Sequence, residues 1–372
     1  MALRFLEGFE NRQHFNFWER SYASYTGAAL TSVGAGRMFG GAWRHNQVSQ
    51  LITRAVVGAV ENTWILQFAV QKSASESFGT SVPAIALQNS VGDQLELRFV
   101  DPAAPDVGGY QIQVRRGATV LGTTRVFQAS THAQFGWRVF QLKATIRTGT
   151  NGSFELRSFN SLGNMTVELG PTASVNTANQ GTDGADRLRM AVATATSNSF
   201  MAFDDIVLMD DTGTVNNNFT TAPVMVMGAR PNADVAGELD WVPSSGVNHF
   251  ALVQDGATLP AQTDEVTSDV VGDVDLYGCD QITLDLAPTV APPTVLGIMV
   301  DVEGLMKTSG ARTVRVRVKD STNQADGAVD MVFNDTAKIS RHEIMEQNPT
   351  GTPAPWTVAT LKTIEMGPKL TA

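Results

Sequence analysis

Apolar and polar residues alternate with a period of two in short runs along the chain, the pattern of half-buried β-strands. In DQLELRFV (93–100), Leu95, Leu97 and Phe99 share one face, with Glu96 and Arg98 on the other. GSFELRSF (152–159) sets Phe154, Leu156 and Ser158 against Glu155, Arg157 and Phe159. Comparable runs lie at 2–9, 50–57, 62–70, 110–116, 136–146, 164–169, 186–193 and 201–209, with Gly, Asn, Asp or Pro in nearly every gap. About ten strands in roughly 210 residues is the content of a two-sheet jelly roll.

The stretch FDDIVLMDDTGTVNNNF (203–219) reads as the last strand of that sandwich running into a polar connector. The connector holds one apolar patch, VMVM (224–227), which suits an extended linker or an edge strand. A second set of strand patterns follows at 249–253, 275–286, 294–304, 312–319, 329–333 and 356–367. RTVRVRVK (312–319) is the strictest: Val314, Val316 and Val318 face a core, while Arg315, Arg317 and Lys319 face out. The helical candidate is AKISRHEIMEQ (337–347), stopped by Asn348-Pro349. The expected class is all-β, with a jelly roll at 1–213, a connector at 214–230 and a smaller antiparallel β-sandwich at 231–372.

Composition narrows the setting. Charged residues make up only 17% of the 372, and nowhere do about 18 uncharged apolar residues run together. The opening MALRFLEGFENRQHF lacks a basic start followed by an apolar run, so neither a secretion signal nor membrane insertion is expected. A single cysteine, Cys279, allows no intrachain disulfide and no multi-cysteine metal site, which fits folding in a reducing cytoplasm. The net charge of −10 is unevenly placed. Up to Gly213 there are 17 basic and 17 acidic residues, against 10 and 20 in the remainder. Nucleic acid would be repelled by the acidic half.

Several constellations carry candidate chemistry. Glu238-Leu239-Asp240-Trp241 gives half of the E-x-D-x-x-E pattern with which jelly-roll hydrolases present two acids to one glycosidic bond, but Val242 and Pro243 stand where the third acid belongs. The bland reading is a polar turn with Trp241 buried. Asp93, Glu96, Asp101 and Asp106 gather near a strand without a spacing that fixes two carboxylates on one ligand. Asp204 and Asp205 should point to opposite faces of a strand; Asp204, Asp210 and Asp211 have the oxygen chemistry for Ca²⁺, or else cap a solvated turn.

The acid-rich segment 264–285 lacks a calcium-loop spacing and reads as hydrated surface. His14, His45, His132, His249 and His342 are scattered, without a His or Cys at ligand spacing. Gly34-Ala35-Gly36, with Gly40 and Gly41, lacks the Lys-Ser/Thr of a phosphate loop. Phe15, Phe17, Trp18, Tyr22 and Tyr25 form an aromatic group suited to core packing, a subunit contact or stacking on a sugar.

The order of segments resembles a group of tailed-bacteriophage virion structural proteins. It is carried by LRFLEGFEN, FGWRVFQLKATIRTGTNGSFELRSFN, FDDIVLMDDTGTVNNNF, RPNADVAGELDWVPSSGVNHFALVQD, TVLGIMVDVEGLMKTSGARTVRVRVKD and NPTGTPAPWTVATLKTIEMGPKL, and so spans nearly the whole chain. Where that group carries a paired-acid stretch, this chain has TLPAQTDEVTSDVVGDVDLYG. The resemblance implies a concanavalin A-like (laminin-G-like) jelly roll, then a smaller β-sandwich, on the head, neck or tail of a virion assembled in the host cytoplasm. It implies other virion proteins as partners and a homo-oligomer, with a receptor- or glycan-binding appendage and a host glycan as the alternative. On this reading no enzyme activity, cofactor, metal or catalytic residue is expected, and no ligand-binding residue is assigned.

Overall fold

The structure is a computed structural model describing residues 3–7, 24–26, 33–35, 41–45, 51–55, 60–72, 78, 83–103, 108–128, 137–160, 163–192, 201–253, 264–279, 294–307, 310–321, 323–334, 336 and 339–372. It is all-β, built of antiparallel sheets, and divides into two compact units, Met1–Val226 and Met227–Ala372.

The strands of the first unit are β1 (Leu3–Glu7), β2 (Ser24–Thr26), β3 (Val33–Ala35), β4 (Gly41–His45), β5 (Leu51–Ala55), β6 (Thr63–Lys72), β7 (Pro83–Asn89), β8 (Gly92–Val100), β9 (Gln111–Arg116), β10 (Thr119–Thr123), β11 (Arg138–Thr145), β12 (Gly152–Phe159), β13 (Met165–Val175), β14 (Arg187–Val192) and β15 (Met201–Asp210). An eight-stranded sheet runs β13-β12-β11-β6-β15-β4-β3, with β1 also on β15; a seven-stranded sheet runs β10-β9-β8-β7-β14-β5-β2. Every run read as strand in this half is one. The alternation missed β2, β3, β4, β7 and β10. In β7 it fails because Ala84, Ile85, Ala86 and Leu87 are all buried, so neither face shows a polar residue.

Aromatic side chains from both sheets fill the core. Phe68 stacks on Phe140 at 5.6 Å, and Phe99 meets Phe203 edge-on at 5.5 Å. Phe127 meets Phe140 edge-on at 5.1 Å, and such pairs contribute about 0.5–1.5 kcal/mol beyond their area. Asp204 and Asp205 break the alternation of β15. A bulge falls between Asp204 and Val207, with Asp205 at φ +49°, and both acids end up buried.

In the second unit the strands are β16 (Pro231–Leu239), β17 (Val242–Pro243), β18 (Val266–Thr267), β19 (Asp275–Cys279), β20 (Ile298–Gly304), β21 (Arg312–Lys319), β22 (Gln324–Asp326), β23 (Met331–Phe333), β24 (Ile339–Met345), β25 (Gln347–Asn348), β26 (Ala354–Pro355) and β27 (Glu365–Leu370). Its main sheet runs β16-β19-β27-β21-β22, with β23 also on β21. Val314, Val316 and Val318 point into a core shared with Met331, Phe333, Trp356 and Leu370. The β20/β24 pair packs Ile298, Val300, Val302, Ile339 and Met345 against it. Outward, Arg315 pairs with Asp330, Arg317 with Asp326, and Lys319 with Glu238 and Glu365.

Three expected elements are corrected here. Residues 339–345 form a strand, not a helix: seven cross-strand partners on β20 outweigh the weak helical preference of a short segment. HFALV (249–253) is a helical turn, not a strand, because Asp234 accepts hydrogen bonds from its first N–H groups, His249 at 2.9 Å and Phe250 at 2.6 Å. The run 356–367 is split by a short helix, Val358–Leu361, which Thr357 opens with a capping box; the strand starts only at Glu365.

Candidate functional site

Three polar constellations stand out, two in the first unit and one in the second. The first lies on the outer face of the seven-stranded sheet. Arg189 (β14), Ala86 (β7), Glu96 (β8) and Arg115 (β9) are successive neighbours across four strands. Asp93 receives Arg189 through two guanidinium nitrogens and also accepts from Gln88 Nε2 at 3.2 Å. Arg98 donates to Glu96 Oε2 at 3.0 Å, and Arg189 lies 3.5 Å from Glu96 Oε1. Glu96 is therefore buried although it sits on the polar face. Within this cluster three arginines stand with two carboxylates, and Arg98 and Arg115 remain half-exposed.

The second constellation fastens the end of the connector to the outer face of the eight-stranded sheet. Gln67 (β6) and Gln141 (β11) are cross-strand partners, both fully buried. Gln67 Nε2 donates to the Val224 carbonyl at 2.9 Å, and its Oε1 accepts from the Val224 N–H at 2.8 Å. Gln141 Nε2 donates to Gln67 Oε1 and to Thr220 Oγ1. Lys143 donates to Asn218, the Arg157 guanidinium lies 3.8 Å from the Phe219 ring centroid, and Asp205 Oδ1 accepts from the Val226 N–H at 2.7 Å. Residues 218–226 are thus a strap, not a linker or an edge strand.

The third constellation surrounds Asp275, which is completely buried. It accepts from the Trp241 N–H at 3.0 Å, bonds His249 Nδ1 at 2.8 Å and accepts from the Tyr277 hydroxyl at 2.9 Å. Burial, then the Asp275 charge, pushes the Tyr277 hydroxyl far above the usual phenol range, so it stays a donor. Asp275 ties the turn after β16, the His249 helix and β19 into one piece.

The residues singled out in the sequence fall as follows. Glu238 pairs with Lys319 at 3.2 Å, and Asp240 Oδ2 accepts from the Val274 N–H at 3.1 Å, so this acid pair holds β16 in place. Trp241 is half-buried against the second core. Asp210 pairs with Arg4 and accepts from Thr212; Asp204 accepts from the Asp205 N–H. Asp211 is exposed.

Asp101 lies 3.8 Å from the buried Lys72, away from the Asp93–Glu96 pair. His342 faces Asp301 across β20 and β24. Gly34 and Ala35 lie in β3, and Gly41 opens β4. His45 and Tyr25 lie in β4 and β2, and their side chains fall outside the described residues. Asp106, His14, His132, Phe15, Phe17, Trp18, Tyr22, Gly36 and Gly40 also fall outside them, as does much of 264–285 beyond Cys279. Among the described residues no group of three or more His, Cys, Asp or Glu is placed to hold a metal.

No protein-family model and no curated protein matches the chain. Solved structures do. An alginate lyase of family PL-14 from Aplysia kurodai is 11% identical, with TM-score 0.40, over 56% of this chain and 99% of that one. An endo-β-1,4-glucuronan lyase from Trichoderma reesei is 12% identical, with TM-score 0.35, over 56% and 95%. A second alginate lyase is 12% identical, with TM-score 0.34, over 55% and 96%.

These neighbours correct one expectation. No enzyme activity was expected from the sequence, yet the solved structures similar to this chain include alginate and glucuronan lyases and a GH43 glycoside hydrolase. The exclusion of an enzyme is withdrawn.

Proposed function

We propose that the chain is a structural component of a tailed-phage virion, exposed on head, neck or tail and acting through protein–protein assembly. Its first unit would be a concanavalin A-like jelly roll and its second a smaller sandwich. One observation carries this reading: the resemblance in segment order runs through both compact units and the strap that ends the first. FDDIVLMDDTGTVNNNF supplies β15 and the start of the strap, RPNADVAGELDWVPSSGVNHFALVQD supplies β16 and the Asp275-linked turn, and RTVRVRVKD supplies β21. A resemblance of that extent concerns the whole build and not a single sheet, which hosts many functions. A reconstruction of the particle tests it: density for both units at a symmetry-related position supports the reading, and a particle fully accounted for by other chains refutes it.

The outer face of the seven-stranded sheet favours a second reading, a receptor- or glycan-binding appendage. Half-exposed Arg98, Arg115, Gln111 and Gln113 present donors across β8 and β9, which suits sugar hydroxyls and carboxylates. Binding to a glycan panel that disappears in Arg98→Ala, with the fold retained, supports it; binding unchanged by that substitution removes this face from consideration.

A further inference from the structure

We infer that two copies of this chain pair antiparallel through the outer edge of β13, with Thr166 on the two-fold axis. This rests on the assembly reading above and gives it an interface.

Strand β13 ends the eight-stranded sheet, and among the described residues β12 is its sole partner. An outer edge with unpaired backbone groups is a template for another strand, and proteins that remain monomeric blunt it with Lys, Pro, bulges or short length. The C-terminal half of β13 is blunted in this way. Pro171 offers no N–H, Ser174 sits at φ +59°, and the register with β12 shifts at several points. The stretch Met165–Val167 has none of these devices. It pairs with β12 without a shift, contains no charge, and leaves Met165 46% and Val167 43% exposed.

The occupant follows from the register. An antiparallel pair centred on Thr166 sets Met165 against Val167 of the second copy, Val167 against Met165, and Thr166 against itself. Met165 and Val167 lie opposite Phe159 and Arg157 of β12, on the outer face of the sheet, so the pairing makes an apolar row of Met165 and Val167 from the two copies, bounded by Arg157. Phe159, buried with Ala69 and Val139 and flanked by Trp137, extends that row behind Met165. Cross-strand apolar pairs and Thr–Thr pairs are the stabilising kind.

Charge agrees with this choice. The next position out sets Glu168 opposite Asn164, not opposite another acid, and Glu168 is already neutralised by Arg125 at 3.0 Å. A strand from an unrelated protein would need to match this sequence; a second copy matches it by symmetry.

The test is sedimentation of the full-length chain at tens of micromolar, with circular dichroism as the control on folding. Wild type is expected as a dimer or a multiple of one, and Val167→Lys as folded chains associating roughly tenfold more weakly or worse. In a Cys279→Ser background, Thr166→Cys should give a disulfide-linked pair on mild oxidation. A monomeric wild type overturns the inference. So does self-association that Val167→Lys leaves intact, or a dimer in which Thr166→Cys does not cross-link. A monomeric chain still found in washed virions removes the β13 pairing alone, whereas a cross-linked dimer absent from virions removes the particle reading alone.

Discussion

Gln67 holds Val224 by both of that residue's backbone groups, donating to its carbonyl at 2.9 Å and accepting from its N–H at 2.8 Å. A side-chain amide here does what a neighbouring strand would do, and it lets an irregular segment lie over a sheet without leaving polar groups orphaned. Replacing Gln67 with Leu removes both bonds, the longer one to the Asp205 carbonyl at 3.4 Å and the one from Gln141. We expect a loss of about 1–3 kcal/mol, and a new protease-sensitive site within 218–226. In wild type, limited proteolysis should spare this strap. Cleavage of wild type inside it as fast as in the variant would show that the glutamine does not hold it.

The two faces of β21 should respond differently to substitution. Val316 is fully buried, so Val316→Asp places an unpaired charge in the core and should cost several kcal/mol, roughly enough to unfold the second unit. Arg315 makes an exposed pair with Asp330, so Arg315→Gln should leave the melting temperature nearly unchanged. Equal losses from the two substitutions would contradict the register.

Asp275 is a buried carboxylate with three donors directed at it, from Trp241, His249 and Tyr277. Asp275→Ala would leave those donors without an acceptor, and we expect the second unit to lose about 3 kcal/mol or more. Thermal unfolding followed in the separate melting of the two units checks this. A loss confined to the first unit would contradict the assignment.

Glu343 gives a pH-dependent prediction. Burial raises its carboxyl above the ordinary range, only partly countered by hydrogen bonds from the Ala328 and Val329 N–H groups, and its Oε2 has no partner among the described residues. A group with a raised folded value contributes its stability below the unfolded value and loses it as pH rises through the folded one. Wild type should therefore fall in stability relative to Glu343→Gln as pH rises from about 4 to 7. A stability difference that is flat over that window, or of opposite slope, would show the carboxyl to be unperturbed or lowered.

Much of the fold was legible where one face of a strand is core and the other is solvent. RTVRVRVK alternates because Val and Arg meet different surroundings, and β8 and β12 follow the same logic. Legibility fails where distant partners decide. ISRHEIM has no clean period, and its strand form comes from seven partners on β20, about 40 residues earlier in the chain. The polar sites were less legible still. Asp93 and Glu96 were visible as an acid cluster, but Arg189, which neutralises Asp93, lies 96 residues away. The strap did leave a signal: a glutamine in the middle of each apolar run, TWILQFAVQK and RVFQLKAT, where a side chain facing bare solvent or core would not need one.

The central claim, that the chain belongs to a phage particle, is tested most directly by quantitative mass spectrometry of purified, washed virions produced by the genome that encodes it. The account predicts the chain in those virions at a fixed ratio to the other structural proteins, one that matches a symmetric copy number. Absence from washed virions, with the chain recovered only from the soluble lysate, would contradict it.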